Sequence, residues 1–241
     1  MNRRMKKISL FVVMALTGCC RVSAQQVNAP TVERPRLVVG IVVDQMRWDY
    51  LYRYQKRYVE GGFRRLLNEG FSCENTRIPY VPSVTAIGHT CIYTGSVPSI
   101  HGIAGNNFVK NGKKVYCTDD ATVKSVGTTS DAGLMSPRNM WVTTIGDEMK
   151  IASNGRAKVV GVALKDRASI LPAGHNPNGA FWFDDQTGNF ITSTYYMNDL
   201  PSWVKTFNGE RVPDRYLSKK WNTLYDKTTY IESTTDDNDY E

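Results

Sequence analysis

Two runs of consecutive aliphatic residues stand out from a mixed apolar and polar background. They are Leu37-Val38-Val39-Gly40-Ile41-Val42-Val43 and Lys158-Val159-Val160-Gly161-Val162-Ala163. A continuous run, unlike a strict alternation, suits a strand covered on both faces, as in a parallel sheet. The first run ends at Asp44, so the pattern predicts that carboxylate at the carboxyl edge of a strand, where open α/β sheets bind ligands. The second ends shortly before Lys165. Between the runs the pattern predicts a helix over residues 50–69, with Phe63, Leu66 and Leu67 as a partial apolar face and Gly70 as its C-cap. An extended stretch follows, punctuated by Pro79 and Pro82, then a helix over 85–94 and a Gly- and Pro-rich loop to Gly105. Turns and short strands fill residues 106–140, a helix is predicted over 141–151, and Asn154-Gly155 turns the chain into the second run. Strand–helix–strand alternation of this kind implies an α/β fold with right-handed crossovers. After about residue 172 the texture changes. Gly, Asn and aromatic residues crowd together, among them Phe181, Trp182, Phe183, Tyr195 and Tyr196, as in an insertion or cap.

The N-terminus carries a different pattern. Arg3, Arg4, Lys6 and Lys7 precede the apolar stretch 8–16, which is too short to span a bilayer comfortably. This reads as an export signal over residues 1–24. Two processing sites fit: the small residues Val22-Ser23-Ala24, and the lipobox-like Leu16-Thr17-Gly18-Cys19, which would leave a lipid anchor on Cys19. Either places the mature protein outside the cytosol, in the periplasm or as a membrane-anchored lipoprotein. Residues 25–36, with Pro30 and Pro35, read as a linker. The leader changes the charge picture. Removing its five basic residues from a net +7 leaves +2, and no basic stripe follows, so nucleic acid is not an expected partner. Beyond Cys19 and Cys20, the cysteines Cys73, Cys91 and Cys117 allow one disulfide in an oxidising compartment. Their spacing matches no zinc cluster.

The candidate chemistry lies in Pro82-Ser-Val-Thr85-Ala-Ile-Gly88-His89. A hydroxyl here follows an extended segment and opens a helix, whose N-terminal amides and dipole favour a phosphate or a developing alkoxide. A threonine hydroxyl attacks poorly unless a base or metal lowers its pKa. Asp44 could hold a cation beside it, and Zn²⁺ pairs readily with carboxylate oxygen and generates oxyanion nucleophiles near neutral pH. Read singly, Thr85 is better taken as a cap or buried hydroxyl than as a nucleophile, and Asp44 is as good a capping carboxylate.

Taken in order, three motifs resemble the alkaline phosphatase superfamily. They are Asp44-Gln-Met-Arg47, Pro82-x-x-Thr85-Ala-x-Gly88-His89 and Thr94-Gly-x-x-Pro98-x-x-His101-Gly102-Ile103-x-Gly105-Asn106. The nearest likeness is to its PafA-type bacterial monoesterases, and it runs through most of residues 37–241. The resemblance implies an α/β/α sandwich with a mostly parallel central sheet, incomplete here, in residues 37–172, and part of a cap insertion in 173–241. It implies Asp44 as a ligand of one of two Zn²⁺ ions, and Thr85 as a metal ligand and the nucleophile forming a phosphothreonine. It also implies Asn106 as a donor to a phosphoryl oxygen. Lys165 and Arg167, in Leu164-Lys-Asp-Arg167, are similar to the Lys-x-Arg pair of the monoesterase branch. The physics agrees, since two cations complement a monoester dianion better than a singly charged diester. His89 and His101 fall near the nucleophile helix and are expected to support structure; His175 is expected to face solvent.

The sequence departs from the family in one respect. The Asp-x-x-x-His motif, the Asp-His pair and the later His that complete a two-zinc site are absent. Asp44 and Thr85 alone are short of a catalytic zinc set, so a fragment that binds zinc weakly and turns over slowly or not at all is expected. The implied substrates are small phosphate monoesters. The alternatives are a nucleotide phosphodiesterase or sulfatase-like relative, and a non-catalytic surface module using the aromatic segment 181–207.

Overall fold

The structure, a computed structural model, describes residues 37–231. The expected export signal, lipobox cysteine and linker lie outside the described residues. The chain divides into two units, Met1–Val42 and Val43–Glu241. In the first, residues 37–42 adopt no strand and are exposed, Leu37 and Val38 at 78%. The predicted buried strand over 37–43 is therefore not formed. An apolar strand needs ladder partners and cover on both faces, and this segment has no ladder partner among the described residues.

The second unit opens with broken helices: α1 (Tyr50–Arg53), a 3₁₀ turn (Gln55–Arg57), a π-helical segment (Glu60–Arg64) and α2 (Arg65–Glu69). The single helix predicted over 50–69 is thus corrected. Tyr58 and Val59 are extended, Gly62 has non-helical dihedrals, and none of these segments buries a residue. With no face packed, nothing offsets the roughly 1 kcal/mol that each interior glycine costs a helix. Gly70 is extended rather than a left-handed cap.

Next come α3 (Thr85–Thr94), α4 (Pro98–His101), the hairpin β1 (Asn107–Lys110) and β2 (Lys113–Tyr116), β3 (Ser125–Val126) and α5 (Ile145–Ala152). They are followed by β4 (Val160–Ala163), α6 (Asp166–Ala173), β5 (Gly179–Asp184), β6 (Asn189–Ser193), α7 (Ser202–Gly209) and α8 (Val212–Leu217). The first residues predicted for the helix over 141–151 are not helical. Thr144 accepts from Asp147 N–H and Asp147 answers at the Thr144 amide, a capping box that starts α5 one residue later.

The four-stranded sheet runs β3-β6-β5-β4. Only β4 and β5 are parallel, joined through α6; β5–β6 and β3–β6 are antiparallel. The sheet is therefore mixed rather than mostly parallel. Physically, β5 and β6 are joined by the tight turn 185–188, and a turn that short can only reverse the chain. Because β5 pairs with β4, the sheet continues unbroken across the change of texture near residue 172.

Successive residues of β5 face opposite ways. Ala180 and Trp182 pack with Ile170 and Ala173 of α6, whereas Phe181 packs with Leu200 and Val204 on the α7 side. This gives helix, sheet and helix layers. Gly161 of β4 lies so close to α6 that a Cβ there would sit 2.4 Å from the Ser169 carbonyl oxygen. A third cluster matters for the site: Ala86 of α3, Leu171 of α6, Ile103, Cys117 and Met140 are buried together. Contrary to the buried strand predicted for residues 158–163, β4 forms the edge of the sheet, with Val160 and Val162 more than half exposed. Cys73, Cys91 and Cys117 are all free thiols. No helix among the described residues is long and apolar enough to cross a membrane.

Candidate active site

Helix α3 places Thr85 at its first position. Ala86, Ile87 and Thr90 are buried, and the hydroxyls of Thr90 and Thr94 bond back to the carbonyls of Ala86 and Thr90 at 2.7 and 2.6 Å. Left-handed Gly95 ends the helix, its N–H donating to Cys91 O. The helix N-cap, Val84, has no side-chain hydrogen bond to give. Its place is taken from twenty residues away: Asn106 Oδ1 accepts from Ala86 N–H at 3.0 Å. An amide N–H can only donate, so the carboxamide oxygen is the bonded atom and the Asn106 NH₂ is left as a donor beside Thr85. Thr85 Oγ1 donates to Asp44 Oδ2 at 3.2 Å. Asp44 lies in an exposed turn rather than at a strand edge, followed by Gln45 in the left-handed region at φ 58°. Three sequence-selected residues, Asp44, Thr85 and Asn106, thus meet at one helix N-terminus.

Lys165 and Arg167 stand at the start of α6, which packs against α3. Lys165 is exposed; its carbonyl accepts from Ala168 and Ser169 N–H, and its ammonium meets no hydrogen-bond or ion-pair partner among the described residues. Arg167 is half-buried. Its Nη1 donates to Tyr116 Oη at 2.8 Å, and its Nε–H is buried without a partner. Neither side chain touches Thr85 directly; the shared core of Ala86, Cys117 and Leu171 ties the two corners together. Sequence reasoning missed Tyr116, Thr118 and Asp166. Tyr116 Oη donates to Asp166 Oδ1 at 3.0 Å, and Thr118 Oγ1 donates to Asp166 Oδ2. The one available signal was Asp166, lying inside the Lys-x-Arg motif. Burial and the nearby Asp166 push the Cys117 thiol up to about 12, so it stays protonated and is no nucleophile.

The histidines divide. His101 is fully buried. Its Nδ1 accepts from Ile103 N–H at 3.1 Å, so Nε2 carries the proton and points at Cys91 Sγ, 3.3 Å away. Burial lowers its pKa, and with both nitrogens engaged it serves structure. His89 Nδ1 donates to Thr85 O at 2.9 Å. His175 is half-buried, held through its backbone N–H by Asp147. For a metal, Asp44 and Thr85 fit in kind, two hard oxygens facing each other, but not in number. A catalytic zinc takes three protein ligands, and the described residues contain no cluster of three His, Cys, Asp or Glu side chains.

Comparisons with known proteins bear on this geometry. The family model described as type I phosphodiesterase / nucleotide pyrophosphatase matches residues 38–239. Alkaline phosphatase PafA of Elizabethkingia meningoseptica is 60% identical over 237 residues, which cover 97% of this chain and 42% of PafA. Alkaline phosphatase PhoV of Synechococcus elongatus is 54% identical over 247 residues, 98% of this chain and 45% of PhoV. The crystal structure of wild-type PafA matches with a TM-score of 0.81 at 62% identity, covering 87% of this chain and 41% of that one. A second PafA structure, TM-score 0.80 at 60% identity and the same coverage, carries four substitutions: of a threonine, an asparagine, a lysine and an arginine, in that order. The chain spans less than half the length of these relatives.

Proposed function

Because the chain belongs to the type I phosphodiesterase / nucleotide pyrophosphatase family, within the alkaline phosphatase superfamily, we propose that it carries the nucleophile half of a zinc-dependent phosphomonoesterase. The observation that carries this reading is the convergence of the Thr85 hydroxyl, the Asp44 carboxylate and the free Asn106 amide at the N-terminus of α3. Two further points support it. Arg167 has a buried, unpartnered Nε–H, which is costly unless a ligand oxygen meets it. The four residue types replaced in the PafA variant recur here in the same order as Thr85, Asn106, Lys165 and Arg167.

In this reading Asp44 and Thr85 would be two of the residues that hold a zinc ion, which would lower the pKa of the threonine hydroxyl. Thr85 Oγ releases its proton to solvent and forms a bond to phosphorus as the bond to the leaving alcohol oxygen breaks, and the alcohol takes a proton from water. Asn106 donates to a non-bridging oxygen. Lys165 and Arg167 match the dianion's second charge. Water then attacks phosphorus, the Thr85–phosphorus bond breaks and inorganic phosphate leaves. The charge match favours monoesters, and the exported enzyme would release phosphate from many small esters. The family description supports a second reading, a nucleotide phosphodiesterase, in which Lys165 and Arg167 contribute little.

The test joins this chain to the portion of PafA that it does not span. The chimera is expected to hydrolyse p-nitrophenyl phosphate with zinc, and Thr85→Ala to lower turnover by about a thousandfold or more. An active Thr85→Ala chimera would overturn the assignment. Faster turnover of a dinucleotide diester than of the monoester would favour the second reading. The 241-residue chain by itself is expected to bind zinc sub-stoichiometrically and to be inactive; a stoichiometric zinc complex would show that its ligand set is complete.

A further inference from the structure

We propose that Tyr116 is a positioning residue for Arg167, its phenol fixing the guanidinium that the preceding section assigns to the phosphoryl dianion. The inference rests on that assignment. The geometry is directional. A guanidinium can only donate and a carboxylate can only accept. The single Tyr116 hydroxyl therefore accepts from Arg167 Nη1 at 2.8 Å and gives its own proton to Asp166 Oδ1 at 3.0 Å. The second oxygen of Asp166 is held by the Thr118 hydroxyl. Each member of the chain Thr118–Asp166–Tyr116–Arg167 thus fixes the next.

The phenol's place between the charges has a consequence. The bond that anchors Arg167 runs to a neutral hydroxyl rather than to the neighbouring carboxylate, so the guanidinium is oriented while its charge remains available to a ligand. Burial and the adjacent Asp166 raise Tyr116 well above the ordinary phenol range, so it stays neutral at any working pH. The buried, unpartnered Nε–H leaves Arg167 a donor that this anchoring does not use.

Tyr116 also ends β2, and the next residue reaches the other corner. Cys117 N–H donates to Asn106 O at 2.9 Å, and Cys117 packs in the cluster with Ala86 and Leu171. One dipeptide therefore sets Arg167 through its phenol and Asn106 through its backbone, and sits against the residue following Thr85.

The experiment is a double-mutant cycle in the PafA-completed chimera. Tyr116→Phe is expected to lower kcat/KM for p-nitrophenyl phosphate by about tenfold and to weaken inhibition by inorganic phosphate similarly, the size of one charge-assisted hydrogen bond. Arg167→Ala is expected to lower both further. In the Arg167→Ala background, Tyr116→Phe should change neither by more than about twofold, since coupled residues are not additive. Full additivity would mean that Tyr116 acts through something other than Arg167 and would overturn the inference while leaving the role of Arg167 intact. An Arg167→Ala chimera with unchanged kcat/KM would overturn both. Nitrogen-15 NMR of the 241-residue chain gives a second measurement, free of any need for activity. Resolved Arg167 Nη signals in the parent, averaged by rotation in Tyr116→Phe, are expected; identical signals in the two would overturn the inference.

Discussion

Asp44 and the buried carboxylates Asp120, Asp147 and Asp184 make opposite uses of the same chemical group. Asp147 accepts from the backbone N–H groups of Thr144, His175 and Asn176 and from the Thr144 hydroxyl. Asp120 takes bonds from Ser136, Thr122 and Arg138, and Asp184 from Thr128, Ser130, Thr187 and Gln186. These three tie loops together and have little accepting capacity left. Asp44 is exposed and accepts one bond among the described residues, from Thr85 at 3.2 Å. A saturated carboxylate is finished structure; one with spare lone pairs beside a hydroxyl at a helix N-terminus is free to meet a cation. Burial alone would single out the three saturated carboxylates and pass over Asp44.

The largest expected effect breaks the comparison from the functional side. Asp44→Ala in the PafA-completed chimera should lower p-nitrophenyl phosphate turnover by about a thousandfold, on the scale of losing a metal ligand or activating group. In the 241-residue chain it should leave the melting temperature unchanged. A clear drop in melting temperature would make Asp44 another structural carboxylate.

Asp147→Ala is the converse, and the next in size. It strands the amides of His175 and Asn176 and removes the α5 capping box, so a loss of about 3 kcal/mol in a urea titration is expected. A loss under about 1 kcal/mol would mean that water replaces the carboxylate easily.

The pH dependence follows from the same group. Burial acts to raise Asp120, but the bonds from Ser136, Thr122 and Arg138 outweigh it and hold the carboxyl at about 2, against 3.8 ordinarily. Asp147 and Asp184 are lowered likewise, their hydrogen bonds outweighing burial. A depressed folded-state pKa gives stability that is complete above the unfolded value and lost as pH falls through the folded one. Stability should therefore fall between about pH 4 and pH 2, with Asp120 contributing on the order of 2 kcal/mol. In Asp120→Asn that part of the acid loss should vanish; an unchanged acid profile would remove Asp120 from the account.

How far these features could be read in advance depends on how local their causes are. Helix α3 was legible from its ends, because a proline-bounded extended segment leads into it and Gly95 stops it. So was the motif order that brings Asp44, Thr85 and Asn106 to one place, although Asn106 caps the helix across twenty residues. Residues 37–43 and 50–69 misled for one reason. Apolar pattern predicts what a segment becomes when covered, and these segments are not covered by the described residues. Of the Tyr116–Asp166–Arg167 chain, the Lys-x-Arg motif marked Arg167 and Asp166, but nothing marked Tyr116 as their partner. These bonds join residues about fifty positions apart, and nothing in the spacing of a lone tyrosine in a short hairpin announces them.

The smallest effect sharpens the line between support and ligation at its hardest point, His89. Its Nδ1–H is spent on the Thr85 carbonyl, so in the neutral ring Nε2 is the free acceptor, the same arrangement that metal-binding histidines use. Type and tautomer therefore do not exclude it from a zinc site; only its helix position, one turn beyond Thr85, speaks for support. If support is its role, His89→Ala removes one side-chain bond from the first turn of α3, which its backbone ladder and Asn106 still hold. Turnover in the chimera should then fall by less than about threefold, with zinc content unchanged by metal analysis. A hundredfold loss accompanied by loss of zinc would move His89 beside Asp44, as a second residue with capacity to spare.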